Sequence, residues 1–397
     1  MKTPVSSRWS WPRPGCARRG TLAVVCVAAA VLSLLAGPAR AQEAPSPAPA
    51  SSPDDSKSAD QQSTESFPKF VVNGFLSQAY AISSGNQILG IPKAGTADYR
   101  TSAVQLWVQV SKYDSFSIQI GNDRLGDSPV QSLQPDVALD WLFYEHRFGA
   151  GSVKVGRVKI PFGIYNEIRD VGTLLPFYQP SADVYGIGSY TTQTVDGAAV
   201  SYSLALGGGW QLDLDAYGGN WEFVSITSEV GLAKSKARNT LGGEAWLTTP
   251  VPGLRFGIGG LSYTALTPGV PKAKANTDHA SLEWQYGRVV THLEYKYRHV
   301  ADAKVDAGYA HVGVKLTNKI TANAQVEYQD LSIAEFPLGT IHLDRDLALG
   351  VNYSFRSNLV LKLEHHWNKG FLVDPTGDLF APARSTRYAI ASLSMSF

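Results

Sequence analysis

Residues 320–329 read ITANAQVEYQ, and this stretch decides the fold class of the 397-residue chain. The apolar or aromatic residues Ile, Ala, Ala, Val and Tyr alternate with the polar residues Thr, Asn, Gln, Glu and Gln. A strict period of two predicts a β-strand with one apolar and one polar face. Similar alternation recurs from about residue 67 to the C-terminus, so we predict an all-β domain of about 16 strands, within a range of roughly 14–18.

The charged residues favour a transmembrane antiparallel β-barrel over a soluble β protein. On the clearly alternating strands the apolar parity carries no Asp, Glu, Lys or Arg, and the charges fall on the polar parity. We assign the apolar parity to the outside, which leaves the charged face enclosed, and that is tolerable only where it lines water. The charged residues assigned to the inner face are Asp213, Asp215, Glu283, Glu294, Lys296, Arg298, Lys315, Glu327, Lys362 and Glu364.

The connections between the predicted strands support the same interpretation. Tight turns, such as those at Tyr113-Asp114 and Tyr286-Gly287, alternate with longer loops. Short turns at one end and long loops at the other are typical of outer-membrane barrels. Two neighbouring strands are predicted at 208–221 and 238–248, with a long loop between them.

The N-terminus has the features of a removable export signal. Residues 1–20 are basic, residues 21–36 form an apolar run, and Ala39-Arg40-Ala41 matches a cleavage site, so we predict a signal peptide at 1–41. Residues 42–66 are rich in Pro, Ala, Ser and Asp and predict a flexible periplasmic tether. The remaining 67–397 is the predicted barrel domain. Both cysteines, Cys16 and Cys26, lie in the signal, so no disulfide is expected in the mature chain.

Composition excludes several other classes of protein. Charged residues make up 17% of the chain, below the roughly 25% usual for soluble domains. The formal net charge is only +1, so there is no basic excess of the kind that binds nucleic acid.

The C-terminus resembles the targeting strand of Gram-negative outer-membrane barrels. Ala389, Ala391, Leu393, Met395 and Phe397 occupy every second position, and Phe397 is the last residue. This resemblance implies that Phe397 is an assembly signal read by the barrel assembly machinery.

Two further blocks resemble a family of Gram-negative porin-like outer-membrane β-barrels, over nearly the whole barrel domain. They are NGFLSQ at 73–78 and VGRVKIPFGIYNE at 155–167. The second block also distantly resembles the phosphate-selective porins. The chain departs from that subgroup because 160–193 has a single basic residue, Arg169, and 42–66 lacks heptads. The resemblance therefore implies porin architecture but not phosphate selectivity.

The longest connection, 160–193, follows the fifth predicted strand. The resemblance implies that this loop folds inward and narrows the channel, and an exposed extracellular loop is the alternative. A bulge at Gly156-Arg157 is expected to turn the neighbouring basic residues toward the lumen. The candidate constriction residues are the acids Glu167, Asp170 and Asp183 and the bases Arg157, Lys159 and Arg169. Further pore-lining candidates on a later strand are Glu294, Lys296 and Arg298.

No catalytic, metal-binding or cofactor site is expected. Gly207-Gly208-Gly209 joins two strands and precedes no helix, so it is a turn and not a phosphate loop. Two His/Glu pairs, His292 with Glu294 and Glu364 with His366, share a face, and polar pairs lining a wet channel explain them better than a catalytic or metal role.

The sequence therefore predicts a porin for passive diffusion of small hydrophilic solutes or ions. A structural or interaction barrel with little conductance is the alternative, and an outer-membrane enzyme on a barrel scaffold is a weaker one. The expected partners are outer-membrane lipids and lipopolysaccharide, the barrel assembly machinery and small hydrophilic solutes. A homotrimer is a further expectation, and nucleic acid is excluded.

Overall fold

Sixteen antiparallel strands make up most of the described chain. The computed structural model describes residues 66–133, 136–186, 194–227, 231–334, 339–370 and 384–397. The predicted signal peptide, and the predicted tether except for its last residue, lie outside them. The strands are β1 (Lys69–Ser84), β2 (Thr96–Gln109), β3 (Asp114–Leu125), β4 (Ala138–Phe148), β5 (Gly151–Lys159), β6 (Thr194–Gly207), β7 (Trp210–Thr227), β8 (Gly231–Thr248), β9 (Leu254–Leu266), β10 (Ala273–Tyr286), β11 (Val289–Val300), β12 (Ala303–Lys315), β13 (Ile320–Ile333), β14 (Thr340–Arg356), β15 (Leu359–Gly370) and β16 (Arg384–Ser396).

The strands close into one barrel. Each strand pairs with its sequence neighbours, and β1 pairs with β16. Past the last ladder pair, Gly74 and Phe397 exchange two main-chain hydrogen bonds of 3.0 and 2.9 Å. A Cβ atom on Gly74 would lie 2.5 Å from the Phe397 ring, so glycine allows the ring to lie over the first strand. The predicted all-β antiparallel barrel of about 16 strands is confirmed.

The period of two separates the outer face of the barrel from the inner one. Large apolar side chains such as Ile258, Leu349 and Val351 are exposed on the outer face, with 64, 45 and 46% of their surface accessible. Polar residues such as Asn323 and Ser392 occupy the alternate, inner positions and are buried. This distribution suits a wall between lipid and a polar interior.

The prediction of a long loop between 221 and 238 was wrong. Strand β7 continues to Thr227 and β8 begins at Gly231, so the two strands form a long hairpin. Glu222 and Lys236 are cross-strand partners on its outer face, with 3.4 Å between Oε1 and Nζ. Charged residues at outer positions are acceptable there because the strand ends continue beyond the apolar band.

Two other details of the predicted wall also differ. The connections at the loop side are not all long, because only Ala301 and Asp302 separate β11 from β12. Charges do occur on the outer face, where Asp306 accepts a hydrogen bond from the Tyr295 hydroxyl and Arg345 pairs with Asp330. These charges lie toward the strand ends nearest the long loops, where headgroups and water can solvate them.

The segment after β5 is irregular rather than extended. Residues 160–186, which we call the β5–β6 segment, contain a 3-10 turn at Gly172–Leu174 and one short helix, α1 (Ala182–Tyr185). Ser181 caps this helix by accepting a hydrogen bond of 3.3 Å from the Val184 amide. The rest of the predicted loop, 187–193, lies outside the described residues. No described helix is long and apolar enough to span a membrane.

Candidate functional site

The β5–β6 segment has few internal backbone hydrogen bonds, so the barrel wall satisfies many of its main-chain groups. Inner-face carboxylates accept hydrogen bonds from its amides: Glu244 from Gly163 (2.7 Å), Glu294 from Ile164 (3.0 Å) and Glu364 from Tyr178 (3.0 Å). These carboxylates belong to β8, β11 and β15. The segment therefore contacts strands that lie far apart around the barrel.

Inner-face donors bind the carbonyl groups of the same segment. Lys362 Nζ, 1% exposed, donates a 2.6 Å hydrogen bond to the carbonyl of Phe177. Lys296 Nζ donates to the carbonyls of Asp183 and Val184, at 2.5 and 2.7 Å. Wall carboxylates thus meet segment amides, and wall ammonium groups meet segment carbonyls.

Glu294 accepts hydrogen bonds both from the segment and from neighbouring strands of the wall. Besides the Ile164 amide, its carboxylate accepts hydrogen bonds from Ser281 Oγ (2.6 Å), the Tyr309 hydroxyl (2.6 Å) and the Tyr185 hydroxyl. Since its exposed fraction is only 5%, these donors replace the water that a buried carboxylate requires. Glu294 is an inner-face residue, as predicted, but it binds protein groups instead of facing open solvent.

Histidines on the wall pack against aromatic residues of the segment. The Tyr165 hydroxyl lies 2.6 Å from His292 Nδ1, and the rings of Phe162 and His279 are 4.2 Å apart. The neighbouring strand adds His311, whose ring centre is 5.2 Å from that of His292. Four of the eight histidines of the chain therefore face inward and contact this segment or each other, and the fourth, His366, lies 5.9 Å from the Phe177 ring.

The three predicted constriction acids, Glu167, Asp170 and Asp183, differ in how much of each side chain is exposed. Glu167 is exposed, and the charges of Lys154, Asp215 and Lys159 act on its carboxyl group. Asp170 forms an ion pair with Lys159, with 2.6 Å between Oδ2 and Nζ. Both atoms of this pair belong to side chains that are less than a fifth exposed. Asp183, in contrast, is 1% exposed.

Asp183 and Arg169 are both buried in the β5–β6 segment. Burial, reinforced by the carboxylates of Asp344 and Glu327, raises the pKa of Asp183 well above its usual range. Arg169 is 5% exposed and donates hydrogen bonds to the carbonyls of Tyr185 and Gly186, each at 3.0 Å. Arg169 therefore lies inside the segment, where its guanidinium group binds the C-terminal end of helix α1.

The predicted bulge at Gly156-Arg157 was wrong. The register passes through Gly156 without a shift, opposite Phe143 and Gly197. Gly156 has a φ of +134°, and a Cβ there would meet the Leu142 carbonyl oxygen at 2.3 Å, so only glycine fits.

Arg157 consequently keeps the outer parity. Its ladder partner is Asp196, and the two side chains form an ion pair with 2.6 Å between Nε and Oδ1. The next pair, Val158 with Val195, is buried in the inner cluster, so Arg157 and Asp196 point the other way. Lys159, the last residue of the strand, still reaches the segment through Asp170.

Several exposed inner-face residues were not among the predicted constriction residues. Arg255 and Glu283 form an ion pair of 3.0 Å, and the Arg255 guanidinium lies 4.3 Å above the Trp246 ring. The inner position of Lys154 follows from its alternation with the outward-facing Val153 and Val155. The predicted Arg298 donates a 2.7 Å hydrogen bond to the Tyr263 hydroxyl. The alternation identified the inner parity of Asp215 and Glu283, but nothing in the sequence indicated which inner residues the segment would leave uncovered.

Within the described residues, no group of three or more His, Cys, Asp or Glu side chains is arranged to hold a metal ion. Of the two His/Glu pairs, Glu294 and Glu364 each accept a main-chain hydrogen bond from the β5–β6 segment.

Comparison with solved structures finds porin-like barrels, whereas no family model and no curated protein matches the chain. The outer membrane channel DcaP of Acinetobacter baumannii superposes with a TM-score of 0.59 and 11% identity, over 84% of this chain and 99% of that one. Salmonella typhi OmpF in complex with daunomycin superposes with a TM-score of 0.54 and 12% identity, over 83% of this chain and 98% of that one. The anion-selective porin from Comamonas acidovorans superposes with a TM-score of 0.53 and 10% identity, over 83% of this chain and 100% of that one. At these identities the likeness establishes the fold alone, a porin-like β-barrel.

Proposed function

We propose that this protein is an outer-membrane porin, a water-filled channel for passive diffusion of small hydrophilic solutes or ions. The observation that carries the proposal is the closed sixteen-stranded barrel with a polar inner face. A barrel of this size is too wide for its own wall side chains to fill and leaves an aqueous interior.

In this proposal the β5–β6 segment folds into the lumen and narrows it. Its support is the set of hydrogen bonds to Glu244, Glu294 and Glu364, on three separate strands of the wall. The inner faces of β5, β7, β9 and β10 keep charged side chains that are partly exposed: Lys154, Asp213, Asp215, Arg255 and Glu283. We place the passage between these residues and the exposed Glu167.

Such a passage favours polar, oriented solutes over apolar ones. Acids and bases face each other across a narrow water column, and their field is screened less than it would be in bulk salt. Because the charges of Lys159 and Asp170 neutralise each other, we expect Glu167 to influence ion selectivity more than any other residue of the segment.

Conductance of the folded full chain in a planar bilayer tests the proposal. We expect stepwise single-channel insertions and a reversal potential in a salt gradient. Refolded protein that inserts, as judged by its resistance to extraction, yet conducts no ions would contradict the porin function while leaving the fold unchanged.

A mostly closed barrel with a structural or interaction role is the second candidate. The observation that favours it is the extent to which the segment is bound, since buried groups such as Lys362 hold it against the wall. The same bilayer experiment separates the two candidates.

An enzyme on a barrel scaffold is the weakest candidate, because Glu294 and Glu364 of the two His/Glu pairs accept hydrogen bonds from the segment. An ester- or lipid-hydrolysis assay on the folded chain would contradict this if activity were found. A homotrimer remains a prediction, which the mass of the detergent-solubilised protein checks.

A further inference from the structure

The short-turn end of the barrel carries a run of positive charge along one side. Three successive turns join β10 to β11, β12 to β13 and β14 to β15. The exposed basic residues in or next to these turns are Arg288, Lys315, Lys319 and Arg356, which we call the basic rim. Neither the turns nor the three strand residues on each side of them include an Asp or Glu. The basic rim therefore extends over six neighbouring strands without an acid of its own.

The side chains of the basic rim have no acidic partner in the described part of the chain. Arg288 donates a 3.3 Å hydrogen bond to the carbonyl of Leu316, and among the described residues no carboxylate pairs with any of the four bases. The opposite half of the same end differs, because Arg147 there pairs with Glu145 at 3.0 Å. The basic rim thus presents positive charge that the described barrel does not neutralise.

Lys315 directs this charge toward the mouth of the barrel. It pairs with Thr321 in the ladder, and the preceding Val314, with 36% of its surface exposed, lies on the outer apolar face. Because successive residues of a strand point to opposite faces, Lys315 points inward. An anionic group bound to Lys315 therefore lies at the mouth of the barrel and not beneath the surrounding lipid.

The chain itself contains a segment of complementary charge. Residues 42–65, which precede the described residues, contain five acids and one lysine, a net charge of −4. They include no large apolar residue, so charge is their main means of binding. The charged residues of this segment are Glu43, Asp54, Asp55, Lys57, Asp60 and Glu65.

This segment is long enough to reach the basic rim. It joins the described chain at Ser66, next to the start of β1, and only β16 lies between β1 and β15. With strands about 4.8 Å apart, the basic rim lies about 10–35 Å from β1, measured across the strands. A flexible chain has a root-mean-square length of about 19 Å over 12 residues and about 27 Å over 24 residues. The acids therefore fall within the range of distances that the bases cover.

We propose that the basic rim binds the acidic tether of its own chain and holds it along the mouth of the barrel. Each contact is an exposed ion pair, which is weak alone. Attachment to the same chain makes every contact intramolecular, so several weak pairs act together at a high effective concentration. Salt screens such contacts, and this dependence separates them from apolar packing.

Trypsin digestion of the folded, detergent-solubilised full chain tests the proposal, because Lys57 is the single basic residue of 42–65. Mass spectrometry follows the cut after Lys57, and a synthetic peptide of residues 42–66 gives the rate for an unbound tether at each salt concentration. At about 20 mM salt the cut should be about fivefold slower in the protein than in the peptide, and at about 0.5 M salt the two rates should agree. Lys315→Gln plus Lys319→Gln plus Arg356→Gln should abolish the protection at low salt.

Lys112→Gln plus Arg147→Gln is the matched control, because it removes two positive charges from the opposite half of the same end. Circular dichroism and heat-modifiable gel migration verify that each variant is folded. A cut at the peptide rate in the intact protein at low salt would overturn the proposal, and so would an equal loss of protection in the control.

Two other occupants of the basic rim would also overturn the proposal. Protection that disappears on dilution would assign the tether to the basic rim of a neighbouring copy. Phosphatidylglycerol that binds the intact protein but not the triple variant, with the cut at the peptide rate in both, would instead assign the basic rim to an anionic phospholipid.

Discussion

The inner face of the barrel uses charged residues in two ways, and the difference depends on what covers them. On β11 and β15, Glu294, Lys362 and Glu364 are at most 6% exposed and bind main-chain groups of the β5–β6 segment. On β9 and β10, Arg255 and Glu283 keep 40 and 27% of their side-chain surface exposed. We call the first group the covered charges and the second, together with Lys154 and Asp215, the open charges.

The comparison teaches that a polar inner face serves two purposes at once. The covered charges replace water for a segment that has little regular structure, because a buried main-chain group without a partner costs free energy. The open charges keep their contact with water and can act on a passing solute. Equal residue types at equal parity therefore have different roles. Substitutions in both groups separate these roles, and two further substitutions test the segment itself.

The largest effect is expected from Glu294→Ala. The change leaves up to four buried donors unpaired, at about 1–3 kcal/mol each, so it should lower the free energy of unfolding and expose the β5–β6 segment. Urea unfolding and proteolysis of the folded protein measure this. Glu283→Ala, on the adjacent strand, removes an exposed ion pair worth roughly 0–1 kcal/mol and should do neither. Equal effects would erase the distinction between covered and open charges.

Two lysines, the covered Lys362 and the open Lys154, allow the same comparison with a smaller expected effect. Lys362→Met leaves the Phe177 carbonyl without its donor and should cost about 1–3 kcal/mol. Lys154→Met should leave stability unchanged and shift the reversal potential toward cations, since it removes an open positive charge. A selectivity change in Lys362→Met without a stability change would contradict the assignment.

The pH dependence of the segment tests Asp183. Burial raises its pKa, so the bound segment takes up a proton more readily than the released one. Its attachment is therefore strongest below the ordinary aspartate pKa of about 3.9 and weakens as pH rises through the raised value. Asp183→Asn should reduce this dependence and make the segment more protease-resistant at pH 7. Proteolysis at several pH values would contradict the prediction if the two proteins lost resistance in parallel.

The smallest effect is expected on the reversal potential, which reports the ion selectivity of the channel. Glu167→Gln removes an exposed carboxylate and should move the reversal potential toward anions without changing stability. The double variant with Asp170→Asn should move it further, because Lys159 then loses its partner. Both shifts should diminish at 1 M salt, where the screening length is about 3 Å. An unchanged reversal potential would place the segment outside the conducting path.

The sequence alone determined the barrel wall. The period of two fixed which residues face lipid, since each strand has only two faces and lipid rejects charge. That argument correctly put Glu294, Lys362 and Asp215 inside. It failed at 222–237, where charged residues on the outer face of β7 and β8 indicate a loop by pattern, although both strands continue beyond the apolar band.

Only the tertiary structure decided which inner residues are covered. The path of the β5–β6 segment has no period, and its contacts join residues more than a hundred positions apart, such as Gly172 beside Ser394 or Ile164 bound to Glu294. Local pattern carries no information about such pairs, so Arg169 and Asp183 could not be distinguished from Glu167 by residue type. Parity is a property of a strand, whereas burial inside a barrel depends on what else occupies the same space.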